Sequence, residues 1–343
     1  MFLADKEVLK MDITKLKRPK ILVIGDVAID EMIYGNTERI SREAPVLILR
    51  HTQTKIILGA ASNAAHNISS LNGGKVSIIG TYGDDYYGKV LLEAFEKAKV
   101  DTSYMIKAPE RPTTVKTRIS GSCSQSVTQQ IVRIDRETKE WLAKETEDKV
   151  CETIEKAIPN FDAVILSDYQ LGTLTDRVIK TTVEVAKKHG KIVVADVQKD
   201  MYRYKGVTAM TPNQPDTEKF VGFFIKDEET LKKAGKKLLD STNSDLMLVT
   251  RGGDGMAVFE RDKEYSPIPV FNKTDVFDVT GAGDTVVATF TLGLAAGLSP
   301  KHAAIIGNLA ASIVIRSFGC ATTNIKELIK TADKINFEKF RGK

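Results

Sequence analysis

The sequence predicts an α/β protein with a doubly wound, mostly parallel sheet, helices on both faces and a small β-lid. Three observations carry this. First, short β-branched apolar runs recur: residues 20–27 (KILVIGDV), 75–80, 162–166, 191–196, 207–210 and 246–250. Several end in Gly, Ser or Asp, as buried parallel strands do. Second, helical patterns alternate with them, as at residues 145–158, where Val150, Ile154, Ala157 and Ile158 recur at helical spacing. Third, residues 31–56 and 111–135 break the alternation and read as short, polar-faced strands outside the main sheet. A lid of that kind closes over a substrate and excludes water. The expected organisation is an N-terminal extension over 1–19, one α/β domain over 20–335 with the lid segments inserted, and a C-terminal tail over 336–343. No internal repeat or Pro/Gly/Ser linker divides it.

Composition narrows the class. The 343 residues are 42% hydrophobic and 28% charged, as in an ordinary globular protein. The net charge of +5 is spread over lysine-rich helices. No basic block suggests nucleic acid, and the mild surplus suits an anionic substrate. No apolar run is long enough to span a bilayer. Residues 1–20 mix acids and lysines without the apolar stretch of a secretory signal. No membrane partner and a cytoplasmic location are therefore expected. Cys123, Cys151 and Cys320 form no CxxC pair and are read as reduced thiols. The four histidines show no metal spacing. His189, between two lysines and Gly190, marks a helix C-terminus.

Taken in order, the strand over 20–27 ends at Asp26, with Asp30 just beyond, where open α/β sheets collect ligands. Gly59-Ala60-Ala61-Ser62-Asn63 opens a small-residue helix that lets a ligand approach the backbone. Asp84 and Asp85 precede an amphipathic helix and read as caps. The strand over 162–166 runs into Ser167-Asp168-Tyr169. Thr211-Pro212-Asn213-Gln214-Pro215-Asp216-Thr217-Glu218 follows another strand. Residues 246–250 and 256–259 flank a glycine-rich hairpin turn at 251–255. Asn308 interrupts an alanine-rich helix over 303–315.

The most informative stretch is Asp278-Val279-Thr280-Gly281-Ala282-Gly283-Asp284, followed by an apolar run to residue 296 that reads as a fully buried helix. Glycines at the mouth of a helix expose N–H donors at the positive end of its dipole, a ready site for a phosphoryl group. Asp284 in the first turn is either a cap for the dipole or a general base beside that anion hole. Val286 stands where a dinucleotide fingerprint needs glycine, and no Gly-Lys-Ser/Thr of a P-loop follows.

DVTGAGD with its buried helix resembles the C-terminal signature of the ribokinase-like (PfkB-type) sugar kinases. The resemblance implies a ribokinase-like fold and an ATP-dependent carbohydrate kinase. Asp284 would be the catalytic base, with the amides of Gly281, Ala282 and Gly283 stabilising the transferring phosphoryl group. Asp30 matches the family's acid that bonds sugar hydroxyls. Gly59 and Asn63 match its first signature, with Ala60 where a second glycine usually stands. Asp26, Arg133 and Asp168 complete the expected sugar side. Asn213, Thr250, Arg251, Gly252, Gly255 and Asn308 fall where the family holds its nucleotide. Asp216 occupies the Glu position of the family's Asn-x-x-Glu motif near Mg²⁺, with Glu218 two residues on. A K⁺ near Asp278 and Thr280 is a family option, and a homodimer through the lid is the family's common assembly.

Several stretches resemble one branch of the family: GDVAIDEMIYG, RISREAPV, RPTTVKTR, QQIVRID, LSDYQLG and VTRGGDGM. That branch is the kinase half of bifunctional bacterial enzymes that make ADP-heptose. It implies phosphorylation of O1 of D-glycero-β-D-manno-heptose 7-phosphate. The chain departs from the branch at Leu171, where a lysine is usual, at Asp196-Val197-Gln198, where Asp-Pro-Lys is usual, and at Arg42, where proline is usual. A kinase for another sugar or sugar phosphate is the first alternative. A non-catalytic sugar- or nucleotide-binding regulator is the second.

Overall fold

The computed structural model describes residues 6–122, 128–271, 276 and 278–335. Cys123, Phe277 and the tail over 336–343 lie outside the described residues. In chain order the elements are α1 (Lys6–Lys15), β1 (Ile21–Gly25), β2 (Val27–Ile40), β3 (Leu47–Ala60), α2 (Ala61–Asn72), β4 (Val76–Ile79), β5 (Thr81–Tyr82), α3 (Tyr86–Lys97), β6 (Ile106–Lys107), β7 (Val115–Ser122), β8 (Gln129–Arg136) and α4 (Lys144–Ala157). They continue with β9 (Ala163–Asp168), α5 (Asp176–Lys188), β10 (Ile192–Val197), β11 (Ala209–Met210), α6 (Gln214–Val221), α7 (Glu228–Thr242), β12 (Leu246–Thr250), β13 (Met256–Glu260), β14 (Ser266–Ile268), α8 (Ala282–Ala295), α9 (Pro300–Val314) and α10 (Ile325–Lys334).

Eight strands form the main sheet in the order β14-β13-β12-β11-β10-β9-β1-β4. From β4 to β12 the pairings are parallel; β13 and β14 extend the sheet as antiparallel strands. Successive side chains of a strand point to opposite faces, and β1 is apolar at every position before Gly25. Ile21 and Val23 pack into one core with α1, α2, α3, α8, α9 and α10, while Leu22 and Ile24 pack into the other with α4, α5 and α7. The chain is therefore doubly wound, as its continuous apolar strands require.

Two elements differ from expectation. The lid is a four-stranded sheet, β3-β2-β7-β8, and β2 and β3 are 14 residues each rather than short strands. β2 continues from β1 past Asp26, so its root is buried and its tip is exposed. That switch of environment hides the alternation from a simple pattern. Pro45 lies in the connection between the strands, where its missing N–H costs no ladder bond. Within the N-terminal 1–19 segment, α1 packs against α10 and α9, burying Leu9, Ile13 and Leu16 at helical spacing.

Candidate active site

The helix α8 starts at the carboxyl ends of the strands and is buried along almost its whole length. Gly281 is its N-cap, with φ of 77°, a conformation that L side chains rarely adopt. A Cβ there would also come within 2.6 Å of Asn63 Nδ2. The tight turn spends the Ala282 N–H on the Val279 carbonyl at 3.1 Å, so this amide is a turn bond rather than a free anion-hole donor. Among the described residues, the amides of Gly281, Gly283 and Asp284 have no backbone carbonyl partner and remain as donors at the helix mouth.

Asp284 is buried, with 4% of its surface exposed. Asn63 Nδ2 donates to Oδ2 at 2.7 Å, and the Tyr169 hydroxyl donates to Oδ1 at 2.8 Å. Asn63 is itself held: Asn67 Nδ2 donates to its backbone and side-chain oxygens at 3.0 and 3.2 Å, and the Thr285 hydroxyl donates to Asn67 Oδ1 at 2.8 Å. This closed network locks α2 to α8 and aims the carboxylate. Burial pushes the Asp284 carboxyl up to about 7; the charges of Asp196 and Asp30 add to it, and the two hydrogen bonds oppose it. Burial likewise raises Asp196 to about 6, with the charge of Asp216 adding. A carboxylate poised near neutrality beside free amides suits removal of a hydroxyl proton during attack on a phosphorus.

Two cavities border the mouth of α8. The first, about 480 Å³, is lined by Thr250, Gly252, Gly255, Ala282, Gly283 and Asn308, among others. Apolar side chains also line it, among them Met256, Val270, Val276, Val279, Val286 and Ile315. It brings together four of the six residues expected at the nucleotide with Ala282 and Gly283 of the helix mouth. Asn308 donates to the Pro269 carbonyl at 2.7 Å, which fixes its amide at the wall. Arg251 does not line it; its Nε donates to Gln214 Oε1 at 3.0 Å. Asn213 caps α6 and bonds Asp216 through both its amide atoms, at 2.7 and 2.8 Å.

The second cavity, about 760 Å³, lies under the lid and is lined by Asp30, Met32, Tyr34, Arg118, Asp278 and Cys320, among others. Gly59 is required here: a Cβ would come within 2.8 Å of Asp30 Oδ2. Ala60, the N-cap of α2, is held at φ of 52° and ψ of −138°, so the methyl that replaces the usual glycine is carried in a strained backbone. Arg118 pairs with Asp30. Neither Arg118 nor Tyr169 was singled out from the sequence. Tyr169 follows a strand end where ligands collect, and Arg118 lies in the quoted RPTTVKTR stretch, so both carried a weak signal.

Four of the expected acids are engaged by the protein's own donors. Asp26 does not face the sugar cavity: its carboxylate accepts from the backbone N–H groups of Tyr169, Leu171 and Thr173 at 2.9, 3.0 and 3.0 Å, and shapes the loop after β9. Asp168 is buried and accepts from the Gln170 N–H at 2.7 Å and from the Tyr204 hydroxyl. Glu218 accepts from Gln214 Nε2 at 2.9 Å and the Ile225 N–H at 3.0 Å, closing the loop after α6 rather than facing a metal. Asp278 accepts from the Thr280 N–H and hydroxyl at 2.9 and 2.6 Å and from the Gly319 N–H at 2.9 Å, which staples the loop at the cavity edge. Arg133 lies on the exposed lid strand β8, bonded to both oxygens of Asp135 at 2.7 Å. Leu171, where lysine is usual, is buried, and its carbonyl accepts from Arg111.

Fold and site together point to the carbohydrate kinases: a doubly wound sheet, a lid, and a buried acid at a helix mouth bordered by two cavities. The chain matches the pfkB family carbohydrate kinase model over residues 18–327 and belongs to that family. It is similar to the bifunctional protein HldE of Nitratiruptor sp., with 40% identity over 91% of this chain and 64% of that protein. It is 38% identical to HldE of Geobacter metallireducens over 90% of this chain and 62% of that protein. The chain thus spans just under two thirds of the length of these curated relatives. Its fold is similar to that of Arabidopsis thaliana ribokinase complexed with ribose and ATP, with a TM-score of 0.70 at 19% identity, covering 92% of this chain and 98% of that one.

Proposed function

We propose that this protein transfers the γ-phosphoryl group of ATP to O1 of D-glycero-β-D-manno-heptose 7-phosphate. The observation that carries the reading is the buried Asp284, held by Asn63 and Tyr169 in the first turn of α8, with Ala282 and Gly283 lining one cavity beside it and Thr280 the other. The mostly apolar cavity takes the nucleotide along Thr250, Gly252, Gly255 and Asn308. The polar cavity under the lid takes the sugar against Asp30. The HldE relatives and the branch-specific stretches support the heptose substrate. The sugar hydroxyl gives its proton to Asp284 as it attacks, and the amides of Gly281, Gly283 and Asp284 take up charge on the moving phosphoryl group. Most of the rate then comes from positioning, which the buried Asn63–Asn67–Thr285 network supplies.

Mg²⁺ accompanies the nucleotide in this reading. Among the described residues, no cluster of three or more His, Cys, Asp or Glu side chains forms a protein cage for a metal. That fits Mg²⁺, which uses one or two carboxylates together with phosphates and water. Asp216, with Asp196 in its field, would hold it, and the ion supplies charge neutralisation on the phosphates. The kinase domain comprises residues 20–335, with α1 buttressing it. The lid's outer surface supports a homodimer: Val46, Leu47, Ile131 and Val132 are exposed there around an apolar groove. Val132→Asp is expected to yield a monomer by sedimentation; an unchanged oligomer would remove the lid as the contact. A cytoplasmic location fits an ATP-dependent reaction and reduced thiols.

The activity is tested by ADP release with Mg-ATP against heptose 7-phosphate, sedoheptulose 7-phosphate, fructose 6-phosphate, mannose and ribose. Turnover concentrated on heptose 7-phosphate is expected. Turnover concentrated on another sugar would overturn the substrate and leave the base and anion hole in place.

A further inference from the structure

The loop over residues 168–173, between β9 and α5, is held through its amides. The Asp26 carboxylate accepts from the N–H groups of Tyr169, Leu171 and Thr173, and Asp168 Oδ1 accepts from that of Gln170. Both acids are buried. Gln170 is carried at φ of 58°, in the left-handed region that residues other than glycine seldom enter. Strain of this kind is kept where a particular geometry is used. The loop presents the Tyr169 hydroxyl to Asp284 Oδ1 at 2.8 Å.

The carbonyl side of the loop is held from the entry to the lid. Arg111, just before β7, donates through Nη2 to the Leu171 carbonyl and, at 3.5 Å, to that of Glu140. The chain beyond Arg111 is pinned. The Thr113 N–H donates to Asp85 at 2.8 Å, and the Thr114 carbonyl accepts from Ile29 of β2 at 3.0 Å. Asp26 in turn directly precedes β2. The roots of two paired lid strands therefore grip one loop, Asp26 at its amides and Arg111 at its carbonyl. Arg111 is half-buried. Burial pushes its pKa down, and the charges of Asp26 and Glu110 oppose that. Its Nη1 is buried without an acceptor among the described residues, a cost the fold carries to keep the guanidinium at this loop.

We infer that Arg111 is a positioning residue for phosphoryl transfer, acting through the Leu171 carbonyl and the Tyr169 hydroxyl to fix the Asp284 carboxylate. This rests on the sugar-kinase reading above and adds a residue to it. Asn63 fixes one oxygen of Asp284 from α2, and Tyr169 fixes the other from this loop, so the two set the direction of the carboxylate jointly. A general base must lie within hydrogen-bond reach of the hydroxyl it deprotonates, and a small misplacement lowers the rate steeply. Without Arg111 the Leu171 carbonyl loses its donor. The loop then keeps only its hold on Asp26 and Asp168, and the Tyr169 hydroxyl is less firmly placed at Oδ1. Because Arg111 works through Tyr169, its removal cannot lower turnover more than removal of the tyrosine hydroxyl itself.

The test is a double-mutant cycle of Arg111→Gln and Tyr169→Phe, with kcat measured at pH 6.5 under saturating Mg-ATP and heptose 7-phosphate. Arg111→Gln is expected to lower kcat roughly two- to fivefold where Tyr169 is present and by less than about 1.5-fold in the Tyr169→Phe background, with KM for ATP unmoved. Equal losses in the two backgrounds, or no loss in either, overturn the inference. If the glutamine variant does not fold, Arg111→Lys takes its place. It keeps a charge beside Asp26 and Glu110, and a smaller loss with the same dependence on Tyr169 is expected. A second readout needs no turnover. The Tyr169 hydroxyl holds the Asp284 pKa down, so the fall in urea midpoint near pH 7 should move to higher pH in Arg111→Gln, as in Tyr169→Phe, and no further in the double variant. A fall that stays in place overturns the positioning role even in an active enzyme. If no sugar is turned over but the fall moves, the kinase reading fails and the chain from Arg111 through Tyr169 to Asp284 stands.

Discussion

Replacing Asp284 by asparagine separates chemistry from folding at the centre of this site. Asn63 is oriented by Asn67 to donate to position 284, and the Tyr169 hydroxyl can rotate to accept. An asparagine therefore keeps both hydrogen bonds with its oxygen toward Asn63 and its nitrogen toward Tyr169. It loses the base, so kcat is expected to fall by at least ~10²-fold, with ATP binding little changed. Stability should move the other way. The wild-type carboxyl is held at about 7 in the folded protein, against an ordinary 3.8. The folded state thus keeps its proton to higher pH than the unfolded state. The favourable contribution is complete below about pH 4 and is lost as pH rises through about 7. The gap corresponds to about 4 kcal/mol at full ionisation. Urea midpoints of wild type and Asp284→Asn, measured from pH 5 to 8.5, should therefore diverge, with the variant more stable at the alkaline end. Parallel pH profiles would refute the assignment of a buried, strained base. Full activity in the variant would refute its catalytic role.

Three further outcomes follow from neighbouring contacts. Tyr169→Phe removes a hydrogen bond that lowers the Asp284 pKa, so the acid limb of the pH–kcat profile should shift upward, with kcat roughly two- to tenfold lower at pH 6.5. Ala60→Gly relieves a φ of 52° at the cap of α2 and should stabilise the protein by about 1 kcal/mol in urea unfolding. Asp26→Asn places an amide NH₂ against a set of three backbone donors and should cost about 2–3 kcal/mol, measured the same way, with faster proteolysis after β9.

The alternation of apolar runs and amphipathic helices was enough to specify a doubly wound sheet, because both faces of each central strand had to be covered. The Gly281–Asp284 turn was equally legible. A glycine at positive φ, free amides and a first-turn acid are local requirements, written in adjacent residues. The wall of the cavity beside α8 was legible at Thr250, Gly252, Gly255 and Asn308. It was not legible where a side chain chooses between neighbours, as Arg251 does in turning to Gln214. Asp26 and Asp168 show the same limit. Both sit at strand ends where substrate acids are expected, yet three loop amides claim Asp26, and Gln170 and Tyr204 claim Asp168. Arg118 lies opposite Arg133, a pairing of residues 15 apart that depends on the lid register and on its shift near Ile119. Sequence by itself determined the fold class and marked the glycine turn that opens α8 with its first-turn acid, since those depend on periodicity and on contiguous backbone geometry. Only the tertiary structure decided which carboxylates stay free for a ligand, because a buried acid is captured by whichever unpaired donors the fold brings within reach.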